Sequence, residues 1–254
     1  MELAEMTVYL CCTCVFATLL QHPASPIRHL IPSVIVRRAI FGILIGTTLT
    51  AIILTPWGQQ SGGHLNPAVT WTFYRLRKLE FWDAVFYSIA QFSGAAAGVA
   101  IATVLLHGAP AHPAIRYSAT QPGSHAVGTA FAAEVVISFS LMLVVLLASN
   151  SRAASRYTPY MVGGLYAVFI ALEAPLSGMS MNPARTFGPA LLGSYWHSLW
   201  IYFLAPTLGM LLAAELFLSL RCGIGPYCAK LHDANHERCV FRHGHRQVDY
   251  IPPP

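Results

Sequence analysis

One short stretch of this chain occurs twice. Ser61-Gly62-Gly63-His64-Leu65-Asn66-Pro67-Ala68-Val69-Thr70 aligns without a gap on Ser177-Gly178-Met179-Ser180-Met181-Asn182-Pro183-Ala184-Arg185-Thr186, with Ser-Gly and Asn-Pro-Ala in register. Each copy reads as a loop that opens a helix. Asn is a favoured N-cap, Pro is pre-shaped for the first helical turn, and Ala continues the helix. The preceding Gly and Ser suit an irregular backbone with carbonyls turned aside. The apolar runs that follow, about 68–76 and 184–192, are short. At roughly 1.5 Å per residue each covers about half of a bilayer core of roughly 30 Å. Two half-length helices in repeated halves of a membrane chain predict a site at the midplane, where their N-termini meet.

The membrane reading follows from charge. Of 254 residues 55% are hydrophobic and only 10% are charged, against roughly 25% in a soluble domain. There are too few charges to build a solvated face, so a soluble globular protein is excluded. Six full-length apolar runs are expected at about 3–21, 36–56, 82–106, 127–149, 158–175 and 196–220, all close to the roughly 20 residues that span a bilayer. The half-helices follow the second and fifth runs. The expected fold is therefore an all-α integral membrane protein of six transmembrane helices and two re-entrant half-helices. Repeat 1 covers about 3–106 and repeat 2 about 127–220. Three spans per repeat is an odd number, so the two halves must have inverted topology. Residues 1–220 form one channel-like domain, and 221–254 form a basic tail containing Cys and His.

Glu2 and Glu5 flank the first run with no basic residue beside them, which argues for an uncleaved span rather than a signal peptide. Cys11, Cys12 and Cys14 lie in that span and Cys222, Cys228 and Cys239 in the tail, so no disulfide framework is implied. Glu5 and Glu134 occupy matching places near the starts of the first and fourth spans. An acid inside a span must face the bundle interior and find a partner. Gly94 and Gly98, amid alanines, mark a close helix contact.

The two Asn-Pro-Ala boxes, with Arg185 directly after the second, resemble the aquaporin (major intrinsic protein) family, and the resemblance covers nearly the whole chain. It implies a passive pore. Asn66, Pro67 and Ala68 would face Asn182, Pro183 and Ala184, with side-chain amides offered to a passing oxygen. Acceptors would be the carbonyls of Gly62, Gly63 and His64 on one side and of Gly178, Met179 and Ser180 on the other. Helix N-termini at that junction disfavour cations and hydronium. The resemblance further implies that Glu5 and Glu134 brace the two loops, that subunits assemble as a homotetramer, and that an aromatic/arginine filter stands near the outer mouth. That filter would be Phe41, Ile170, Met179 and Arg185. Phe41-Gly42 resembles the family's aromatic-Gly pair, whereas ungapped counting points to Gly46. Water-specific members usually carry His where Ile170 stands. Against this, Thr186 stands where the glycerol-facilitator branch has Asp, and Tyr202-Phe203 resembles the aromatic pair of the water branch. The implied function is a water channel, with glycerol, urea, ammonia or hydrogen peroxide as alternative cargo. Glu173, one turn beyond Ile170, is expected to brace the second loop or pair with Arg185.

No constellation for catalysis is present: the histidines are scattered, and no phosphate-binding Gly-rich loop exists. Basic residues set the orientation. With both termini cytoplasmic, the inner side carries Arg75, Arg77, Lys78, Arg152, Arg156 and the tail cations, and the outer side carries only Arg28, Arg37, Arg38 and Arg116. The net charge of +5 is thus a topology signal for the inner or plasma membrane, with lipid as partner and no nucleic acid. In the tail, Cys228, His232, Cys239 and His243 repeat a Cys-x₃-His spacing that could hold zinc tetrahedrally, with His236 and His245 as alternatives. No other cofactor is expected.

Overall fold

The computed structural model describes residues 1–124, 126–232 and 240–241. Helices build it, and no strand occurs among these residues. In chain order they are α1 (Glu2–Gln21), α2 (Pro26–Leu30), α3 (Val34–Leu54), α4 (Pro56–Ser61), α5 (Pro67–Arg75), α6 (Phe81–Leu105), α7 (Val127–Ser149), α8 (Thr158–Leu172), α9 (Ala174–Ser177), α10 (Pro183–Gly193) and α11 (Leu199–Leu220).

Five of these, α1, α3, α6, α7 and α11, are long and apolar enough to cross a membrane. The sixth expected span is shorter than its apolar run. α8 stops at Leu172 and a separate turn, α9, follows. Pro175 explains the break. It has no N–H to give the carbonyl of Ala171, and the Arg38 guanidinium takes that carbonyl instead, Nε to O 2.8 Å. The second span ends the same way. α3 stops at Leu54 because Pro56 cannot bond the Ile52 carbonyl, which accepts from the Thr55 amide (3.1 Å) and hydroxyl (2.7 Å). In both repeats a proline therefore bends the chain out of a span and into a short helix that delivers Ser-Gly to the loop.

The bundle pairs α1 with α6, α3 with α8 and α7 with α11. α3 and α8 cross at Gly46 and Gly163, where a Cβ on either would lie 2.2–2.5 Å from a neighbouring oxygen. Gly94 and Gly98 bring α6 onto the backbone of Leu3 and Thr7 in α1, the close approach that small residues permit in lipid. Met6, Leu10, Ile45, Phe73, Leu146, Met210 and Phe217 fill the interior. The outer surface is apolar as well, with Ile35, Ile43, Val104, Val136, Leu172 and Leu204 exposed. Exposed Trp82 at one end of the bundle and Trp196 and Trp200 at the other stand where interfacial aromatics sit. This is a chain that meets hydrocarbon on its outside.

Candidate functional site

Between these helices the two duplicated stretches meet as near-copies of one backbone. Gly62 and Gly178 close α4 and α9 with φ of 98° and 83°. The next residue again has positive φ, 64° at Gly63 and 53° at Met179, and so does the residue before each Asn, 48° at Leu65 and 54° at Met181. Left-handed backbone at a residue with a Cβ costs of order 1 kcal/mol or more, and three such residues persist here because the surroundings hold them.

Asn66 and Asn182 then start α5 and α10 with matching φ of −153°. The Asn66 side-chain oxygen accepts from the Ala68 amide at 2.9 Å, and that of Asn182 from Ala184 at 3.0 Å and Arg185 at 3.2 Å. Pro67 and Pro183 take the first helical position, where a missing N–H costs nothing. The side-chain amides cross over: Asn66 Nδ2 donates to the Met181 carbonyl and Asn182 Nδ2 to the Leu65 carbonyl, both at 2.7 Å. Each loop thus locks the other. An amide NH₂ has two donors, so the crossing leaves one N–H on each Asn. Both asparagines line one cavity, with Tyr166, Val69 and a wall of Leu49, Ile53, Leu141, Val145 and Val162. Tyr166 had no place in the sequence reading, although it lies one turn before Ile170 on α8.

The braces differ from expectation in the first repeat. Glu134 reaches the second loop. Its carboxylate accepts from the Ser177 hydroxyl (2.6 Å) and from the Ser180 and Met181 amides (2.7 Å each). Glu5 accepts only from the Ser61 hydroxyl, at 2.9 Å. The backbone bonds go to Glu2, which takes the His64 and Leu65 amides at 2.9 Å and the Gln91 side chain at 2.7 Å. Two carboxylates in α1 share the work that one performs in α7. Tyr87 on α6 and Tyr202 on α11 complete the parallel by donating to the carbonyls of Ser61 (2.8 Å) and Ser177 (2.5 Å).

Of the filter candidates, Ile170, Met179 and Arg185 are buried, and Phe41 packs, partly buried, against the same core. Gly46 is committed to its contact with Gly163 and has no space for a side chain. Arg185 is held by the segment joining the repeats: Nη1 donates to the Ser118 carbonyl at 2.8 Å, and Nη2 lies 3.5 Å from the Ser118 hydroxyl. Arg116, Tyr117 and Ser118 all have positive φ, a strained run that turns this carbonyl toward the guanidinium. Thr186 is tied to the same segment through Thr120, Oγ1 to Oγ1 2.6 Å. The expected pairing of Glu173 with Arg185 is not formed. Arg75–Glu215 is the only ion pair among the described residues. Glu173 is buried, and among the described residues its carboxyl oxygens make no hydrogen bond of normal length, although Ser177, at the start of the second loop, stands beside it.

The first loop also meets the tail. The Gly62 carbonyl, an expected solute acceptor, instead accepts from the Leu231 amide at 3.0 Å. His64 Nε2 donates to the Ala229 carbonyl at 2.6 Å, while Nδ1 is 3.0 Å from Thr70 Oγ1. Among the described residues, no hydrogen bond of this interlocking network ends on the carbonyls of Gly63, His64, Gly178, Met179 or Ser180. Cys228 and His232 are buried beneath the bundle. Cys239 and His243, the other half of the anticipated zinc site, lie outside the described residues.

The geometry has known counterparts. A family model described as Major intrinsic protein matches residues 4–217. Aquaporin NIP2-3 of Zea mays is 34% identical over 186 residues, covering 73% of this chain and 60% of that protein. Aquaporin NIP3-1 of Oryza sativa subsp. japonica is 35% identical over 179 residues, covering 69% and 55%. The chain thus spans less than two thirds of the length of these curated relatives. In fold it is similar to the X-ray structure of the aquaglyceroporin from Plasmodium falciparum, with a TM-score of 0.68 at 19% identity, covering 87% of this chain and 94% of that one.

Proposed function

The chain belongs to the major intrinsic protein family, whose members are membrane channels and not enzymes, and on that premise we propose that it is a passive water channel. The observation that carries this reading is the crossed pair of asparagine amides. Two half-helices point their N-termini at one junction, and each Asn keeps one N–H for a passing oxygen. The positive ends of two helices repel cations there. Arg185 has no ion-pair partner among the described residues, so it adds a full positive charge near the mouth. The other filter candidates, Phe41, Ile170 and Met179, offer no hydrogen-bonding side chain, which favours a second cargo of small neutral solutes such as glycerol. The relatives named aquaporins and the fold neighbour named an aquaglyceroporin are compatible with either cargo. The functional unit is a homotetramer in the plasma or inner membrane, with both termini on the cytoplasmic side.

Stopped-flow light scattering on proteoliposomes tests the reading. Fast shrinkage under an impermeant osmolyte without extra glycerol uptake is expected for a water channel. Equal acceleration of both moves the protein to neutral-solute transport. Dissipation of an imposed ion gradient would overturn the reading.

A further inference from the structure

After α11 the chain reverses through Cys222 and Gly223, both at positive φ, and returns to the mouth it has just left. Three hydrogen bonds and one ring stack hold it there. The Tyr227 amide donates to the Asn150 side chain at 2.7 Å, beyond the end of α7. The Leu231 amide donates to Gly62, and the Ala229 carbonyl accepts from His64, both in the first loop. Phe241 stacks on the His64 ring, centroids 5.8 Å apart. Ala229 is fully buried and Leu231 is 4% exposed. Leu231 is also part of the wall of the cavity that holds Asn66 and Asn182.

We infer that residues 228–232 are an autoinhibitory plug: with Leu231 seated in the conduit the channel is closed, and displacement of this segment opens it. The inference rests on the channel reading above. Leu231 joins Leu49, Ile53 and Val145 in the tail-side wall, and an apolar constriction excludes water because nothing replaces the hydrogen bonds that water gives up. The plug also occupies one of the two lone pairs of the Gly62 carbonyl with the Leu231 N–H. The Leu231 and Ala229 bonds run to the loop backbone and to one ring nitrogen, groups that water can serve when the segment leaves. At the opposite mouth the contacts among the described residues are lateral: Thr120 and Ser118 hold Thr186 and Arg185 from the side.

The test measures water permeability per reconstituted full-length protein for the wild type, Leu231→Ala and Asn150→Ala, each first shown monodisperse by gel filtration. Leu231→Ala removes the side chain in the conduit. Asn150→Ala acts at a distance, removing an anchor that does not line the cavity. Leu231→Ala is expected to conduct about tenfold faster than wild type, as for a closed state losing that much of its advantage. Asn150→Ala is expected to rise by a smaller factor. Equal rates in all three overturn the plug, and their level separates two failures. A shared rate well above that of protein-free liposomes leaves the channel reading standing. A shared rate at the liposome background takes the channel reading down too.

Discussion

The two pore loops share a backbone and differ in what holds it. In the second repeat one carboxylate, Glu134, accepts two backbone amides and a serine hydroxyl. In the first, Glu2 takes the amides and Glu5 the hydroxyl. Gln91 joins Glu2 to Thr70, donating to it at 3.1 Å, and Thr70 meets His64. A polar chain thus runs from the first brace to the tail. The second repeat has Pro206 on α11 at the place of Gln91, counted from the tyrosines that bond the two serine carbonyls, and its loop ends on Thr186 and Thr120. The inverted fold sets where a loop must be. The side chains beyond it decide which outer segment each loop can seize: the tail at one mouth, the inter-repeat connector at the other.

The largest expected effect comes from Glu134→Ala, which strands two amides and a hydroxyl in the interior at about 1–3 kcal/mol for each orphaned group. Thermal unfolding in detergent should rank Glu134→Ala as more damaging than Glu2→Ala, with Glu5→Ala mildest at about 1 kcal/mol. A ranking with Glu5 first would break the assignment of braces.

Capping separates the repeats next. Asn182 caps two amides and Asn66 one, so Asn182→Ala should lose more stability, within the range of about 0.5–2 kcal/mol for a cap, plus the crossed bond. Equal losses would mean that the crossing, identical on both sides, outweighs the caps.

A third comparison sets Gly63 against Met179. Met179→Gly relieves left-handed strain on the order of 1 kcal/mol but loses a buried side chain worth roughly 2–5 kcal/mol. It should therefore destabilise on balance while raising glycerol flux as the filter widens. Destabilisation with no change in the ratio of glycerol to water flux would remove Met179 from the filter. Ser118→Ala should matter least, at about 0.5 kcal/mol or below, because the shorter bond from Arg185 ends on the main chain. A loss comparable to that of Asn182→Ala would show that the weak hydroxyl contact orients the guanidinium.

Much of this was legible in the residues. The duplicated stretch announced the half-helices, their caps and the inversion of the repeats, because Asn-Pro-Ala is a local helix-start signal that needs no tertiary context. Glu134 was legible as a brace for a similar reason, since a carboxylate in an apolar run has few other uses. Glu2 was missed because the insertion around Pro56 blurs counting from Asn66 back into α1, and two acids one turn apart look alike. Glu173 misled through proximity in sequence to the filter: its carboxyl lies beside Ser177, and it forms no ion pair with Arg185 among the described residues.

The sequence by itself determined the membrane-spanning class, the helix starts and the positions of the prolines that cut α3 and α8, since hydropathy, capping and a missing N–H act within a few residues. Only the tertiary structure decided which asparagine amide meets which carbonyl, which glutamate reaches the first loop, that Ser118 holds Arg185, and that Leu231 returns to the cavity beside the two asparagines. Those contacts join residues far apart in the chain, and their partners are mostly backbone carbonyls and amides, which every residue carries and no side-chain pattern advertises.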